Sequence, residues 1–330
     1  MILAGDIGGT KTVLALFEQT DDGIEVVHEE QAASQGPKTF DEILEPFLSN
    51  AGRPPLRGAC FAVAGPVVDG ACETTNLPWS LDEGALASTV RAPRVKLLND
   101  LEGTAYGVLH LPKSDLVQLN VGRRPRRRGN IAVIAAGTGL GEAYLYWDGG
   151  RHRPIATEGG HSDFAPRTEQ EVDLLHYLRR KLGGRVSCER VLSGPGVYEI
   201  YEFLRDTGRQ TEPAWLAEKI AAGDPSATVS GEAAESGEAI CLATMNLFCE
   251  LYGAEAGNMA LRALTYGGVF VGGGIAPKNL SFLTNGSFLR GFTDKGRFTE
   301  MMMSLDVWVS TNPRAALLGA AYFADEVLAD

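Results

Sequence analysis

The chain has 330 residues, 44% of them hydrophobic and 22% charged, which is the composition of a globular protein with room for two domains. Its formal net charge of −12 at pH 7 should repel nucleic acid and anionic membranes, so neither is expected as a partner.

The cysteines and the apolar segments indicate the compartment. Five cysteines are an odd number, and none has C-x-x-C spacing, which argues against a disulfide framework and against a tetrahedral zinc site. The chain has no run of about 18 apolar residues, and its first residues predict a strand rather than a signal peptide. We therefore expect a soluble, reduced, cytoplasmic protein.

The first elements in chain order are strands. The stretch LAGDIGGTKTVLALF (3–17) predicts two strands, at 2–6 and 12–17, joined by a glycine turn. The second limb contains β-branched and aromatic residues, so the turn is not followed by the helix that a P-loop or a dinucleotide fingerprint requires. A third extended stretch, EVVHEEQAA, precedes a helical pattern at 39–50.

Two later strands end at short polar or glycine-containing pairs. GACFAVAG ends at Gly65-Pro66, and VKLL (95–98) stops at Asn99-Asp100, before a helix predicted at 101–110. Ligands of open α/β sheets bind at such strand ends, so this pair is a candidate for catalysis. The same pair, with Glu102 in the first turn, is also typical of a helix N-cap, and the sequence leaves both interpretations open.

The middle of the chain repeats the opening pattern. GRRPRRRGN (122–130) predicts a solvated loop, with an anion or subunit contact as the alternative. After it, NIAVIAAGTGLGEAYLYW (130–147) again gives a strand, a glycine turn and a strand, and two such hairpins suggest a duplicated sheet unit. Helical patterns follow at 168–182 and 236–264.

The last elements complete an α/β pattern. GGVFVGGGIAP (267–277) predicts a strand before another glycine turn. NPRAALLGAAYFADEVL closes the chain as a helix, with Pro313 in its first turn. Strands and helices that alternate without a long linker predict an α/β fold.

Three glycine turns are candidate phosphate sites. They are Gly8-Gly9-Thr10, Gly137-Thr138-Gly139 and Gly272-Gly273-Gly274. Such turns expose backbone N–H groups that hold anions, although many glycine turns only reverse the chain. Three together favour a nucleotide, which needs contacts along its phosphates and at its base. Asp6, just before the first turn, could hold Mg²⁺ through water, because this ion prefers carboxylate, water and phosphate oxygens.

The three turns resemble the phosphate-1, phosphate-2 and adenosine motifs of the sugar kinase/hexokinase/actin superfamily. The resemblance is closer to bacterial glucokinases of the Escherichia coli type and extends over essentially the whole chain. It is carried, in order, by GDIGGTKTVLAL, LLND, AAGTGLGEA, EGGHSDFAP, SCERVLSGPG, GGVFVGGGIAP, FTDKGRF and NPRAALLGA. It implies two actin-like (ribonuclease H-like) α/β domains that flank an interdomain cleft: a small domain of residues 1–108 plus 313–330 and a large domain of residues 109–312.

The resemblance also implies an ATP site. Asp6 would position Mg²⁺ through water, the three turns would bind the nucleotide, and Thr10 and Thr138 would lie at the phosphates. Lys11 stands where some members have Asn, and its role stays open between a phosphate contact and a solvent-exposed side chain.

Zinc is not expected. Relatives in the repressor and kinase group of this superfamily follow a Gly-His pair with a zinc-binding cysteine cluster. Here Gly160-His161 is followed by no cysteine before Cys188.

The same resemblance implies a glucose site and a catalytic base. Asp100 would accept the proton of the sugar 6-hydroxyl, for which an ionised carboxylate is suited, and Asn99 would hold a neighbouring hydroxyl. Glu158, His161 and Glu189 match glucose-contacting positions in EGGH and SCER, although by themselves they would pass for a structural histidine and surface carboxylates. The loops expected to line the same pocket contribute Gly65, Pro66 and, in TTNLPW, Thr75 and Asn76.

The expected function is ATP-dependent phosphorylation of glucose to glucose 6-phosphate, which feeds glycolysis. One alternative is a kinase for another hexose, such as mannose, fructose or glucosamine, and another is polyphosphate as the donor. A third is a non-catalytic sugar-sensing regulator, which the acidic charge and the phosphate hairpin at the very start of the chain disfavour. The family also suggests a homodimer.

Overall fold

A computed structural model describes residues 1–21, 23–74, 77–122 and 128–328. The strands within these ranges are β1 (Ile2–Ile7), β2 (Lys11–Thr20), β3 (Gly23–Ala33), β4 (Gly58–Val63), β5 (Ala71–Glu73), β6 (Ser80–Asp82), β7 (Val95–Asn99), β8 (Leu116–Asn120), β9 (Ile131–Ala136), β10 (Leu140–Trp147), β11 (His152–Ala156), β12 (Gly268–Gly272) and β13 (Val307–Ser310). The α-helices are α1 (Asp41–Asn50), α2 (Glu83–Val90), α3 (Asp100–Gly107), α4 (Glu169–Leu182), α5 (Gly194–Asp206), α6 (Ala214–Ala222), α7 (Pro225–Glu235), α8 (Ala239–Ala263), α9 (Ile275–Lys278), α10 (Leu280–Thr284), α11 (Ser287–Thr293), α12 (Thr299–Met303) and α13 (Ala315–Val327).

The first compact unit comprises Met1–Asp115, Asp148–Ala156 and Asn312–Asp330. Its main sheet has the strand order β3-β2-β1-β4-β7. β1 and β2 form the predicted antiparallel hairpin, whereas β1, β4 and β7 are parallel. Every residue of β4 is buried, because helices cover both faces of a central parallel strand, and this explains its continuous apolar sequence.

Successive residues of β4 face the two layers of helices. Phe61 packs edge-to-face on Phe40, with ring centroids 5.6 Å apart, in a core that includes Phe47 of α1. The next residue, Ala62, lies on the other face against α3, where a Cβ added to Gly103 would be 2.8 Å from the Ala62 Cβ. This alternation is the ordinary period of a strand, and it fixes α3 on one side of the sheet.

Glycines hold α3 close to α13. A Cβ at Gly107 would lie 1.9 Å from the carbonyl oxygen of Ala315, and one at Gly319 would lie 1.8 Å from that of Gly103. The two helix backbones therefore approach more closely than any larger residue permits. This contact fixes the helix that begins with Asp100.

The second compact unit comprises Leu116–Trp147 and Thr157–Thr311. Its sheet contains β10-β9-β12-β13-β8 in that order, with an antiparallel β9–β10 hairpin and parallel β9, β12 and β13. The order β2-β1-β4-β7 of the first unit recurs as β10-β9-β12-β13, which agrees with the duplicated unit predicted from the two hairpins. The 25-residue helix α8 forms the centre of the core, packed against β9, α5, α7 and α11.

Some predictions are not decided by the structure. Most of the arginine-rich loop, at residues 123–127, lies outside the described residues. The domain boundaries predicted from the sequence stay a prediction.

Within the described ranges, none of the helices has both the length and the apolar character that a bilayer crossing needs.

Candidate active site

Three parallel strands of the first unit end at the same edge of the sheet. Ile7 of β1 stands opposite Val63 of β4, and Val63 stands opposite Asn99 of β7. The glycine turn after β1, the Gly65 loop after β4 and Asp100 after β7 therefore all begin at one level. This edge is where parallel α/β sheets bind their ligands.

The Gly8–Thr10 turn is fixed through its carbonyl groups. The Ser34 Oγ donates to the Gly8 carbonyl at 2.7 Å, and the Gln35 Nε2 donates to the Gly9 carbonyl at 2.7 Å. The Ser34 N–H donates to the Thr10 carbonyl at 3.0 Å. A turn whose carbonyls are held from one side can present N–H groups to an anion on the other.

Asp6, near the end of β1, interacts with Asp100. Burial and, to a smaller extent, the Asp100 carboxylate raise the pKa of Asp6 to about 6, whereas the Lys11 ammonium opposes this shift. Two carboxylates that repel each other in this way form a site that favours a cation.

Asn99 is the N-cap of α3, one of the two roles that the sequence left open. Its Oδ1 accepts a hydrogen bond from Leu101 N at 2.9 Å, and the Glu102 Oε2 accepts one from Asn99 N at 2.9 Å. This reciprocal pair is a capping box. The Asn99 Nδ2 also donates to the Gly65 carbonyl at 3.0 Å, so the cap holds the neighbouring loop in place.

Asp100 is the first residue of α3, and its side chain is exposed. Its Oδ1 accepts a hydrogen bond from the backbone N–H of Leu101 at 2.9 Å. The positive end of the helix dipole favours the ionised carboxylate here. Asn99 therefore secures the helix start, and Asp100 lies exposed in its first turn.

The Gly65 loop requires glycine. Gly65 has a φ of +154°, and a Cβ there would lie 3.1 Å from the Cys72 Sγ. Pro66, which follows it, is exposed. Thr75 and Asn76, the other predicted lining residues, lie outside the described residues.

In the second unit, two glycine turns follow the parallel strands β9 and β12. Gly272 stands opposite Ala135 in the ladder, so the turns that follow these strands start side by side. The hydroxyl of Tyr252 accepts a hydrogen bond from Ala136 N at 2.9 Å and lies 3.4 Å from the Gly272 carbonyl oxygen. Gly273 has a φ of +79°, and a Cβ there would lie 2.3 Å from the Ala136 carbonyl oxygen.

A cavity of about 980 Å³ lies beside these two turns. Gly137, Thr138 and Gly274 line it, together with the first residues of α5 and α7. The Ser226 Oγ donates to the Gly194 carbonyl at 2.7 Å and so joins the starts of these two helices. Ligand pockets of about 300–1,000 Å³ hold molecules of the size of a nucleoside. The turns were predicted from the sequence, but the helical walls and Tyr252 were not.

Glu158, His161 and Glu189 converge at one place in the second unit. The His161 Nε2 lies 3.8 Å from the Glu158 Oε2, and the His161 Nδ1 lies 3.9 Å from the Glu189 Oε1. The side chains of His161 and Glu158 are 57% and 67% exposed. An imidazole between two carboxylates offers both donors and acceptors, which the hydroxyl groups of a sugar require.

Glu189 also contacts the Gly137–Gly139 turn. Its Oε2 accepts a hydrogen bond from Leu140 N at 3.0 Å, and a Cβ at Gly139 would lie 2.6 Å from the same oxygen. One carboxylate thus links the predicted sugar residues of this unit to its predicted phosphate turn.

Comparison with known proteins places the chain in a family. The family model for glucokinase matches residues 3–327. A glucokinase of Nostoc punctiforme is 42% identical over 334 residues, which covers 97% of this chain and 98% of the relative. A glucokinase of Synechocystis sp. is 42% identical over 342 residues, which covers 97% and 96%. The chain belongs to the glucokinase family.

A solved structure of the glucokinase family agrees with this assignment. The crystal structure of a glucokinase from an Antarctic psychrotroph matches this chain with a TM-score of 0.85 at 30% identity, and the match covers 97% of each chain. The resemblance to bacterial glucokinases and the actin-like α/β fold class, both predicted from the sequence, are confirmed.

Proposed function

We propose that this member of the glucokinase family transfers the γ-phosphoryl group of ATP to the 6-hydroxyl of glucose and forms glucose 6-phosphate. The observation that carries the proposal is the position of Asp100, an exposed carboxylate at the start of α3, next to Asp6 and at the edge where β1, β4 and β7 end. Membership of the family supports both the donor and the acceptor.

Asp100 is the general base. Its carboxylate accepts the proton of the 6-hydroxyl as that oxygen attacks phosphorus, while Asn99 keeps the start of α3 in place. Phosphoryl transfer depends mainly on such positioning and on charge stabilisation. A positioned general base contributes about 10²–10⁴-fold to the rate.

The glycine turns bind the nucleotide. Backbone N–H groups of Gly9, Thr10 and Lys11 and of Thr138 and Gly139 hold the phosphates, with the Thr10 and Thr138 hydroxyls as further donors. The N–H groups of Gly8 and Gly137 close the two turns instead, by donating to the carbonyls of Lys11 at 3.0 Å and Gly139 at 2.8 Å. The nucleoside occupies the cavity beside Gly272-Gly273-Gly274, whose volume of about 980 Å³ is sufficient for it.

The donor set at Asp6 fits a hydrated Mg²⁺. Asp6 and Asp100 repel each other, and a divalent cation offsets this repulsion. Among the described residues, no group of three or more His, Cys, Asp or Glu side chains could hold a metal, so water and phosphate oxygens would supply the remaining ligands. When bound, Mg²⁺ neutralises the charge of the phosphates.

The sugar is recognised by hydrogen bonds to its hydroxyl groups. Glu158, His161 and Glu189 form one cluster of donors and acceptors, and the distances below 4 Å from His161 to each carboxylate support a shared ligand. The family resemblance adds Asn99, Gly65 and Pro66 of the first unit as further sugar contacts, and on the same ground Asn76, which lies outside the described residues. The cytoplasm, a role at the entry to glycolysis and a homodimeric state belong to the same proposal and rest on the family resemblance alone.

A panel of substrates tests this function. The purified chain is supplied with Mg-ATP and with glucose, mannose, fructose or glucosamine, and both ADP and sugar phosphate are measured, with polyphosphate replacing ATP in a second series. We expect kcat/KM for glucose to exceed that for each other hexose by at least about tenfold. A hexose whose hydroxyl groups are arranged differently leaves hydrogen-bonding groups of the site without a partner, and this lowers kcat/KM.

Each departure from that result has a defined meaning. Equal kcat/KM values for all four hexoses would contradict the glucose assignment. Efficient phosphoryl transfer from polyphosphate and none from ATP would contradict the assignment of ATP as the donor. Glucose binding by calorimetry without any phosphoryl transfer would make the chain a sugar-sensing regulator.

A further inference from the structure

A buried carboxyl group lies directly under the Glu158–His161 segment. Glu142 is on β10, and only 2% of its surface is exposed. A Cβ at Gly159 would lie 2.2 Å from the Glu142 Oε2, so a larger residue here would require the Glu142 side chain to move. The carboxyl group therefore packs against the backbone that carries Glu158 and His161.

Further contacts fix the same segment to β10. The Thr157 Oγ1 donates to the Glu142 carbonyl oxygen at 2.7 Å and accepts a hydrogen bond from Gly159 N at 3.0 Å. A Cβ at Gly160 would lie 2.0 Å from the Leu140 carbonyl oxygen. Because the segment packs directly on the strand, a change in the volume or solvation of the groups beneath it acts directly on the segment.

The surroundings of Glu142 do not suit a charge. In the part of the chain that the structure describes, its Oε1 has no hydrogen-bond partner. Glu255 and Arg262 of α8 face it, and the Arg262 guanidinium is already paired with Glu255 at 2.8 Å. An ionised Glu142 would therefore be a buried charge with a second carboxylate close by and a cation that it must share.

Among the described residues, the other titratable groups near Glu142 are Tyr144 on its own strand, Cys188 in the short helix Cys188–Arg190, and Tyr252 of α8. Ionisation of Glu142 disfavours ionisation of all three, and the pKa of each is raised mainly by burial. His161 and Glu158, the titratable groups of the segment above, are more than half exposed. Cys188 precedes Glu189, so the same buried acid lies near both sugar-binding segments.

We propose that Glu142, in its protonated form, is a positioning residue that holds the Glu158–His161 segment in its glucose-binding arrangement. This inference rests on the proposed function and adds to it a control of glucose affinity by pH. Loss of the Glu142 proton places an unsolvated charge against Gly159, and water can reach that charge only if the segment moves off the strand. Glucose affinity then falls, whereas kcat changes little because Asp100 is not part of this cluster.

The pKa of Glu142 sets the pH range of the effect. Burial and, to a smaller extent, Glu255 raise it to about 7, and Arg262 opposes them. The KM for glucose should therefore rise as the pH increases above neutrality, with a limiting slope of about tenfold per pH unit.

The test compares the wild type with Glu142→Gln, which keeps the shape of the side chain and cannot ionise. KM for glucose and kcat are measured from about pH 6 to about pH 8.5, and glucose Kd is measured by calorimetry over the same range. For the wild type we expect KM and Kd to be at least about threefold higher at pH 8.5 than at pH 6.5, and for the variant we expect no such rise. The two proteins differ at this one side chain, so the contributions of all other groups cancel in the comparison.

Two further variants complete the design. Glu218→Gln, at an exposed position of α6, should keep the wild-type pH profile. Glu255→Gln should move the rise in KM to lower pH, since it removes the neighbouring carboxylate and releases Arg262 to Glu142. This second variant also tests the inference if Glu142→Gln does not fold.

The failure of this inference is distinct from failure of the proposed function. If the wild type does not phosphorylate glucose, the proposed function is wrong, and the calorimetric Kd still decides the role of Glu142. If Glu142→Gln keeps the pH dependence of the wild type, or if Glu255→Gln leaves it unshifted, Glu142 does not position this segment.

Discussion

At the residue scale, protonation of Glu142 is coupled to folding because its carboxyl group is buried against Gly159. Burial and Glu255 raise its pKa from 4.5 to about 7, so between these pH values the folded chain keeps a proton that the unfolded chain has lost. A folded state that binds more protons than the unfolded state loses stability as the pH rises. The loss begins near pH 4.5 and is complete above about pH 7.

Glu142→Gln should therefore be more stable than the wild type above neutrality. The shift sets an upper limit of about 3 kcal/mol for the gain in unfolding free energy at pH 8, and the gain should vanish near pH 4.5. Urea unfolding of both proteins at several pH values measures this difference. A constant difference between the two proteins at all pH values would show that Glu142 does not change its charge on unfolding.

The residue scale also shows which features of the candidate site could be predicted from the sequence and which could not. Asn99 and Asp100 were candidates from the sequence because they follow an apolar strand directly, and the ends of parallel strands are ligand sites. In LGEAYLYW, alternation places Glu142 on the same face as Leu140, which is a signal for a buried carboxyl group. Its contact with Gly159, however, depends on how two segments pack.

The place of Tyr252 at the glycine turns was even harder to predict from the sequence. Its hydroxyl contacts the ends of β9 and β12, although 116 residues separate it from Ala136. Nothing in the local sequence of α8 distinguishes this tyrosine from an ordinary core aromatic. The pairing of distant segments, rather than a motif, gives it its place at the glycine turns.

At the element scale, the capping box of α3 should affect both stability and the proposed catalysis. Asn99→Ala removes the cap and the hydrogen bond to Gly65, which should cost about 1 kcal/mol. It also frees the first turn that carries Asp100, so kcat should fall by roughly ten- to a hundredfold. Thermal unfolding and steady-state kinetics on the same preparation measure the two effects.

Asp82→Ala is the matched control for this prediction. Asp82 caps α2 by accepting a hydrogen bond from Ala85 N at 2.8 Å, and α2 carries none of the proposed site residues. Its loss should lower stability by a similar amount and leave kcat unchanged. If the two variants had equal kcat values, the cap of α3 would not position Asp100.

Local sequence predicted the elements unevenly, for physical reasons. The hairpins and the long helix α8 have strong periodic or apolar patterns, and they were predicted correctly. Helix α5 was missed because Gly194-Pro195-Gly196 is typical of a turn. In the structure Ser193 caps this helix through Gly196 N, and Pro195 fits the first turn, where its missing N–H has no cost.

At the scale of the whole molecule, the order of the motifs was more informative than any single motif. A glycine turn or a lone histidine fits many proteins, but eight segments in one order along 330 residues indicate one family. The match of the glucokinase family model to residues 3–327 agrees with that order. The walls of the cavity proposed for the nucleoside could not be predicted from the order of motifs, because α5 and α7 meet only through tertiary packing.

Catalytic turnover is a property of the whole molecule. The central claim about it is that Asp100 accepts the proton of the attacking hydroxyl. The most direct measurement is kcat for glucose phosphorylation by Asp100→Asn, with glucose Kd from calorimetry. Asp41→Asn is the control, since Asp41 is also an exposed aspartate at the first position of a helix, α1.

The account predicts that kcat of Asp100→Asn falls by about 10²–10⁴-fold, with glucose Kd within about threefold of the wild type. The control should retain the wild-type kcat. Turnover by Asp100→Asn within about tenfold of the wild type would contradict the account, because a general base contributes more than that.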